Sequence, residues 1–248
     1  MKTKINRHIF TQTRFQSNVL SQLGFIVHQY KESGRYQADV SRHGKPMYSF
    51  QIDVCKNHKK PQFSADLSAL DKSIRGGNER SAAKECCCEP HDSVFELLEG
   101  GFGLFYVGSG PGGYSVCTYP IDQKPHAVFD SAVLGDGDMF GITLLRPGQY
   151  VFLEQNKKIK AAIEVEEVKP GKTPYVPPDP VYVDNQQLQK SKVIKLRAAQ
   201  GLIYKASGGE SITIELLKPN DDDSDNPELK IAHWSKPSGG SLNGLKAK

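Results

Sequence analysis

No run of the 248-residue sequence approaches about 18 consecutive apolar residues, the length a membrane-spanning helix needs. The opening stretch MKTKINRHIFTQTRF has no apolar core of the secretory kind. Its Lys2, Lys4, Arg7 and Arg14 come without an acidic residue, but Ile5, Ile9 and Phe10 make no amphipathic stripe, so a transit peptide is not favoured either. The expected location is the cytoplasm. Also missing are a G-x-S-x-G elbow, an H-E-x-x-H pair, a P-loop and any periodic run long enough for an extended helix. Five cysteines (Cys55, Cys86, Cys87, Cys88 and Cys117) cannot all pair, and a chain of this size buries a core without staples. Free thiols are the expectation.

What the sequence does have is turns and strands. Gly and Pro number 23 and 15, against 38% hydrophobic and 24% charged residues, which describes a turn-rich globular chain. Residues 35–42 (RYQADVSR) and 46–54 (PMYSFQIDV) alternate in polarity around His43-Gly44-Lys45, the pattern of a hairpin. Residues 64–74 read as a short helix with Ser64 as N-cap and Gly76-Gly77 as stop, and 78–89 as another helix or a loop. From 93 onward short apolar or alternating runs follow at 93–98, 102–107, 114–119, 127–134, 140–145, 150–153, 160–168, 193–198, 202–206 and 211–217. The turns between several of them are explicit, as in Gly135-Asp136-Gly137-Asp138 and Arg146-Pro147-Gly148-Gln149. Five prolines in residues 170–180 predict a stiff extended crossover. The fold class expected is all-β, mainly antiparallel sandwich units with one or two short helices.

The division expected is a smaller β-rich domain at 1–80, a Cys-rich connector at 81–92, a β-sandwich at 93–219 and a flexible acidic, then Gly/Ser/Lys, tail at 220–248. Charge supports a split. Residues 1–91 carry 15 Lys/Arg against 8 Asp/Glu, and residues 92–235 carry 14 against 20, so the two parts are expected to meet. A weak internal similarity links Gly103-Leu104-Phe105-Tyr106 and the Tyr114–Tyr119 stretch to Gly201-Leu202-Ile203-Tyr204 and 210–215. It reads as two hairpins built alike.

Several motifs invite chemistry and mostly fail its requirements. Gly108-Ser109-Gly110-Pro111-Gly112-Gly113 matches G-x-G-x-x-G, but Tyr114 onward alternates like a strand and Pro120 stops any helix, so a glycine-rich hairpin loop is expected. The acidic run at 221–225 lacks the glycine and the glutamate of a calcium loop, having Asn226 and Ala232 there. Asp136 and Asp138 read as a turn, and His126 as a surface histidine. Lys56, His58, Lys59 and Lys60 beside Phe63 are too few for a phosphate-binding face, which disfavours nucleic acid.

One spacing does fit a metal. Cys55-x-x-His58 and Cys88-x-x-His91 each bring a thiolate and an imidazole within one turn, and four such ligands suit tetrahedral zinc. The alternatives are a buried strand-end Cys55 with solvated His58 and His91, or thiol redox chemistry at Cys86, Cys87 and Cys88. Beyond zinc no cofactor is expected. The functional expectation is a non-enzymatic β-sandwich protein that binds a protein partner or builds a homo- or hetero-oligomeric assembly through sandwich edges and opposed charges. The alternatives are a small-molecule hydrolase or lyase with a β-lined cavity, or a zinc-binding module.

Overall fold

The computed structural model describes residues 8–80, 94–123, 126–156, 159–168 and 174–220. These form sixteen strands and three α-helices, with most strand pairs antiparallel, so the chain is all-β and sandwich-like. In chain order the first are α1 (His8–Thr11), β1 (Arg14–Gln16), β2 (Gly24–Gln29), β3 (Gly34–Arg42), β4 (Lys45–Cys55), β5 (Gln62–Asp66) and α2 (Leu67–Arg80). Next come β6 (Val94–Leu98), β7 (Phe102–Tyr106), β8 (Tyr114–Pro120), β9 (Phe129–Asp130) and β10 (Leu134–Thr143). The rest are β11 (Gly148–Glu154), β12 (Ile159–Glu166), β13 (Val181–Val183), α3 (Asn185–Lys190), β14 (Val193–Arg197), β15 (Gly201–Glu210) and β16 (Ile212–Pro219). No helix among the described residues is long and apolar enough to cross a membrane.

The β3–β4 hairpin is where the alternating sequence puts it. Arg42 pairs with Lys45, leaving His43 and Gly44 as a two-residue turn with φ of 50° and 74°, the left-handed pair whose twist suits a tight hairpin. Residues 64–74 come out differently. Gln62–Asp66 is a strand, paired parallel to β7, because Phe63 and Ala65 alternate into the core. The helix begins only at Leu67, with Asp66 rather than Ser64 over its first turn, and runs through Gly76 and Gly77 to Arg80.

Three sheets result. A six-stranded central sheet has the order β13-β15-β10-β2-β7-β5. A first flanking sheet has the order β6-β4-β3-β8-β9, and a second β14-β12-β11-β16-β1. The two flanking sheets repeat one topology strand for strand: β6 is parallel to β4 as β14 is to β12, and every other pairing is antiparallel in both. The central sheet is likewise two copies of one half, β5-β7-β2 and β13-β15-β10, joined where β2 pairs with β10. Along the chain, β2 to β8 and β10 to β16 take equivalent places in the same order, with α2 and α3 after β5 and β13. The molecule is therefore two tandem copies of one eight-stranded sandwich, the second completed by β1 from the start of the chain. The similar strings at 103–119 and 201–215 fall on equivalent strands. Each crosses from the central sheet to a flanking one, so neither is a hairpin, and the Gly108–Gly113 segment joins two sheets.

The boundary expected at 81–92 does not separate the sheets. Strands β6 and β8, beyond it, pair with β4 and β3, before it, and the central sheet draws on both sides. Residues 81–93 and 221–248, with the cysteine run and the acidic tail, lie outside the described residues. The basic and acidic parts do meet: Lys56 Nζ is 3.6 Å from Glu99 and Lys60 Nζ 3.6 Å from Glu96, both ion pairs largely exposed.

One face of the central sheet builds the core. Ile26, Phe105, Phe140, Leu202 and Tyr204 are no more than 1% exposed there. Rings close the gap to both flanking sheets, Phe105 on Phe129 at 5.3 Å and Phe152 on Tyr204 at 5.0 Å. Near the seam His28 Nδ1 lies 2.7 Å from Asp138 Oδ1, and Asp138 is 2% exposed. The second carboxylate oxygen accepts from the Gly135 amide at 2.7 Å, and the His28 ring stacks on Phe129. Removing the ring strands a buried carboxylate. His28→Ala is expected to cost about 3 kcal/mol in urea unfolding, and replacing Asp138 as well with an apolar residue should recover part of that loss.

Candidate interaction surface

An antiparallel sheet with one wet face alternates apolar and polar residues. The flanking sheets follow this in part, mixing polar rows with single apolar residues, Val94 on the first and Val151, Leu153 and Val193 on the second. The first presents the cross-strand row Ser49–Asp39–Cys117–Asp130 and, beside it, Gln51–Gln37–Tyr119. The second pairs Arg14 with Glu215, Glu164 with Lys195 and Glu166 with Arg197.

The outer face of the central sheet does not. One row reads Tyr182–Ile203–Gly141–Phe25–Tyr106–Asp66, and the next Lys205–Met139–Val27–Leu104–Ser64. Apart from the terminal Asp66, Lys205 and Ser64 these eleven positions are apolar, aromatic or glycine. Ile203, Phe25, Tyr106, Met139, Val27 and Leu104 are half-buried, each in contact with its sheet neighbours and part-exposed above. Phe102, one row further, is 37% exposed, and Tyr182 is 65% exposed. Between β2 and β7 the face dips into a hollow of about 330 Å³, lined by Leu23, Gly24, Phe25, Leu104, Tyr106 and Val107 beside Thr143. This is a concentrated apolar patch, the kind of surface soluble chains keep for contacts. Sequence inspection missed it because it missed β2. The signal was there: Phe25-Ile26-Val27, Leu104-Phe105-Tyr106 and Leu202-Ile203-Tyr204 are apolar at consecutive positions, which places apolar side chains on both faces of a strand.

The residues singled out for metal chemistry are placed as follows. Cys55 is half-buried at the end of β4, and the His58 amide donates to its carbonyl at 3.2 Å, which folds the turn between them. His58 Nε2 lies 3.0 Å from Asp53 Oδ2. Cys88 and His91 lie outside the described residues, as do Cys86 and Cys87. Among the described residues no three His, Cys, Asp or Glu side chains stand close enough to hold an ion.

A second hollow, about 790 Å³, lies on the outer face of the first flanking sheet and includes Asp39, Cys117, Tyr119 and Asp130. Burial, with Asp130 and Asp39 nearby, pushes the Cys117 thiol up, away from the thiolate a nucleophile needs. The Tyr119 phenol is pushed up to about 12 by its hydrogen bond with Cys117 and then by burial. Both carboxylates already hold neighbours, Asp39 the Gln37 amide at 2.6 Å and Asp130 the Ala132 amide at 2.8 Å. The buried Glu210 is likewise engaged, by the Tyr204 hydroxyl at 2.6 Å and by the Ser207 hydroxyl and amide at 2.8 and 3.1 Å.

The glycine segment has a structural duty. Asp66 Oδ1 accepts from the Ser68 amide at 3.0 Å, the Ser68 hydroxyl at 2.6 Å and the Gly108 amide at 3.0 Å, and Lys72 Nζ donates to Ser109 Oγ at 2.8 Å. The N-terminus of α2 and the glycine segment thus share one carboxylate, which stands where a phosphate would have to bind. Burial alone would raise the Asp66 carboxyl, but the Ser68 hydroxyl and the Gly108, Ala69 and Ser68 amides outweigh it and hold it below its ordinary value. Its stabilisation is therefore complete above the unfolded value of about 3.9 and lost as the pH falls through the lower folded one. Asp66→Ala is expected to cost about 1–2 kcal/mol in urea unfolding at neutral pH, with the gap to the wild type closing on acidification. A gap that persists at low pH would mean that the charge is not what acts.

No protein-family model, curated protein or solved structure matches this chain.

Proposed function

We propose that the chain is a non-enzymatic binding or assembly protein that docks a protein partner on the outer face of its central sheet. The contrast among the three outer faces carries the reading: two set charged and polar residues around single apolar ones, and one runs apolar across two adjacent rows. The hydrophobic effect is worth roughly 25 cal/mol for each Å² covered, and it is largely unused on that face. Two of the sheet edges, β13 and β14, offer less. β14 alternates exposed Lys195 and Arg197 with buried residues, and β13 has three residues following Pro177, Pro178 and Pro180, both common ways of blunting an edge.

A photoreactive phenylalanine analogue at Phe102 or Tyr106, compared with one at Gln149 on the second flanking sheet, tests this. The expected result, in the native source, is covalent adducts to protein from the first two positions and none from the third. Equal capture at all three positions, or none at any, would overturn the proposal.

A further inference from the structure

The apolar face is complementary to itself. Its most prominent side chain is Tyr182, 65% exposed on β13, and its deepest point is the hollow beside Phe25 and Tyr106. The hollow depends on Gly141. A Cβ there would stand 2.1 Å from the Phe25 ring, so the ring leans across the glycine towards β10 and leaves room on the β7 side. Knob and hollow lie on one cross-strand row, since Tyr182 pairs with Ile203, Ile203 with Gly141, Gly141 with Phe25 and Phe25 with Tyr106. Three strand spacings, ~14 Å, separate Tyr182 from Phe25.

We infer that the partner on this face is a second copy of the same chain, packed sheet on sheet about a dyad that runs along the strands between β15 and β10. This rests on the reading of that face as a docking surface. Such a dyad carries each Tyr182 over the other copy's hollow, so one operation fills both, as an isologous contact requires. About that dyad β13, β15, β10 and β2 of one copy lie over β2, β10, β15 and β13 of the other, an overlap three strand spacings or ~14 Å across that covers Ile203, Met139, Phe25 and Val27 and leaves β7 on its rim. Sheet-on-sheet packing is also what the chain uses twice within itself.

Sedimentation equilibrium of the full chain, from micromolar towards millimolar concentration, tests the inference. The expected result is a monomer–dimer equilibrium. Tyr182→Ala should weaken it about tenfold or more, the effect of losing an aromatic anchor, and Val27→Lys should abolish it. Far-UV circular dichroism checks that each variant folds. Should Val27→Lys not fold, Tyr182→Ala still decides, because its exposed side chain contributes little to the core. A strict monomer overturns the second copy. If Phe102 and Tyr106 analogues nevertheless capture a different protein, the docking surface stands without it. A dimer indifferent to both substitutions overturns the inference by placing the contact elsewhere. Cross-links formed only within one molecule, with neither a second copy nor another protein captured, would overturn the inference and the docking surface together.

Discussion

The antiparallel pairing of β2 with β10 is the contact on which the rest of the molecule depends. It covers four residue pairs, Val27 with Met139 through Gly24 with Ile142, and turns two three-stranded half-sheets into one sheet of six. Without it each unit would present an unpaired edge rich in apolar side chains, a template for wrong association. With it, Ile26 and Phe140 sit side by side over a core that runs unbroken from one flanking sheet to the other. The second tie is β1, which leaves the start of the chain to pair with β16, near the last described residues. The Ser17 amide donates to the Ile212 carbonyl at 3.0 Å, so the second sandwich closes only when the beginning of the chain has reached it. Contacts this distant in sequence slow folding and make the units interdependent.

The sequence displays the flanking sheets better than the central one, for a physical reason. Strands such as β3 and β4 have one face in the core and one in water, so Tyr36, Ala38 and Val40 alternate with Gln37, Asp39 and Ser41 and can be read by eye. The central strand β2 has apolar residues on both faces, and Gly24–Gln29 shows no period of two to find. β1 and β13, three residues each, are too short to carry a pattern and exist because a neighbour's edge is available. The tandem repetition was equally hidden. Matching strings at 103–106 and 201–204 lie on its equivalent strands one residue out of phase, with Phe105 and Tyr204 in the equivalent core positions, because sheet membership and register are properties of long-range pairing. The same holds for the domain boundary: the shift in charge near residue 91 is real, yet β4 lies parallel to β6 across it.

Chemistry is equally a matter of surroundings. A glycine string that fits a phosphate loop in sequence is held here by Asp66, and a carboxylate over the first turn of α2 leaves no room for a second anion. Cys117 lies between two aspartates on one row, which looks like a reactive arrangement until the direction of the effect is considered. Burial, and after it neighbouring negative charge, disfavours the thiolate. Cys55 and His58 are brought into one turn as their spacing requires, and the ring's Nε2 is already within hydrogen-bond distance of Asp53.

Two sandwiches with one topology would present the same outer surface twice if their sequences had stayed alike. They differ where the central sheet faces outward. On the equivalent strands β7 and β15, Phe102, Leu104 and Tyr106 stand against Ile203, Lys205 and Ser207, so most of the apolar weight falls on the first half. On the equivalent edges β5 and β13 the balance reverses, with Gln62 and Ser64 against the exposed Tyr182. The first half thus carries the hollow and the second the protruding ring. Such a division is of little use to folding, since the protruding ring stands clear of the core and the hollow reaches it only at Val107 and Leu23. It does matter to a surface that must be matched by another, because a hollow and a knob on opposite halves of one sheet give the face a polarity that a uniformly apolar sheet would lack.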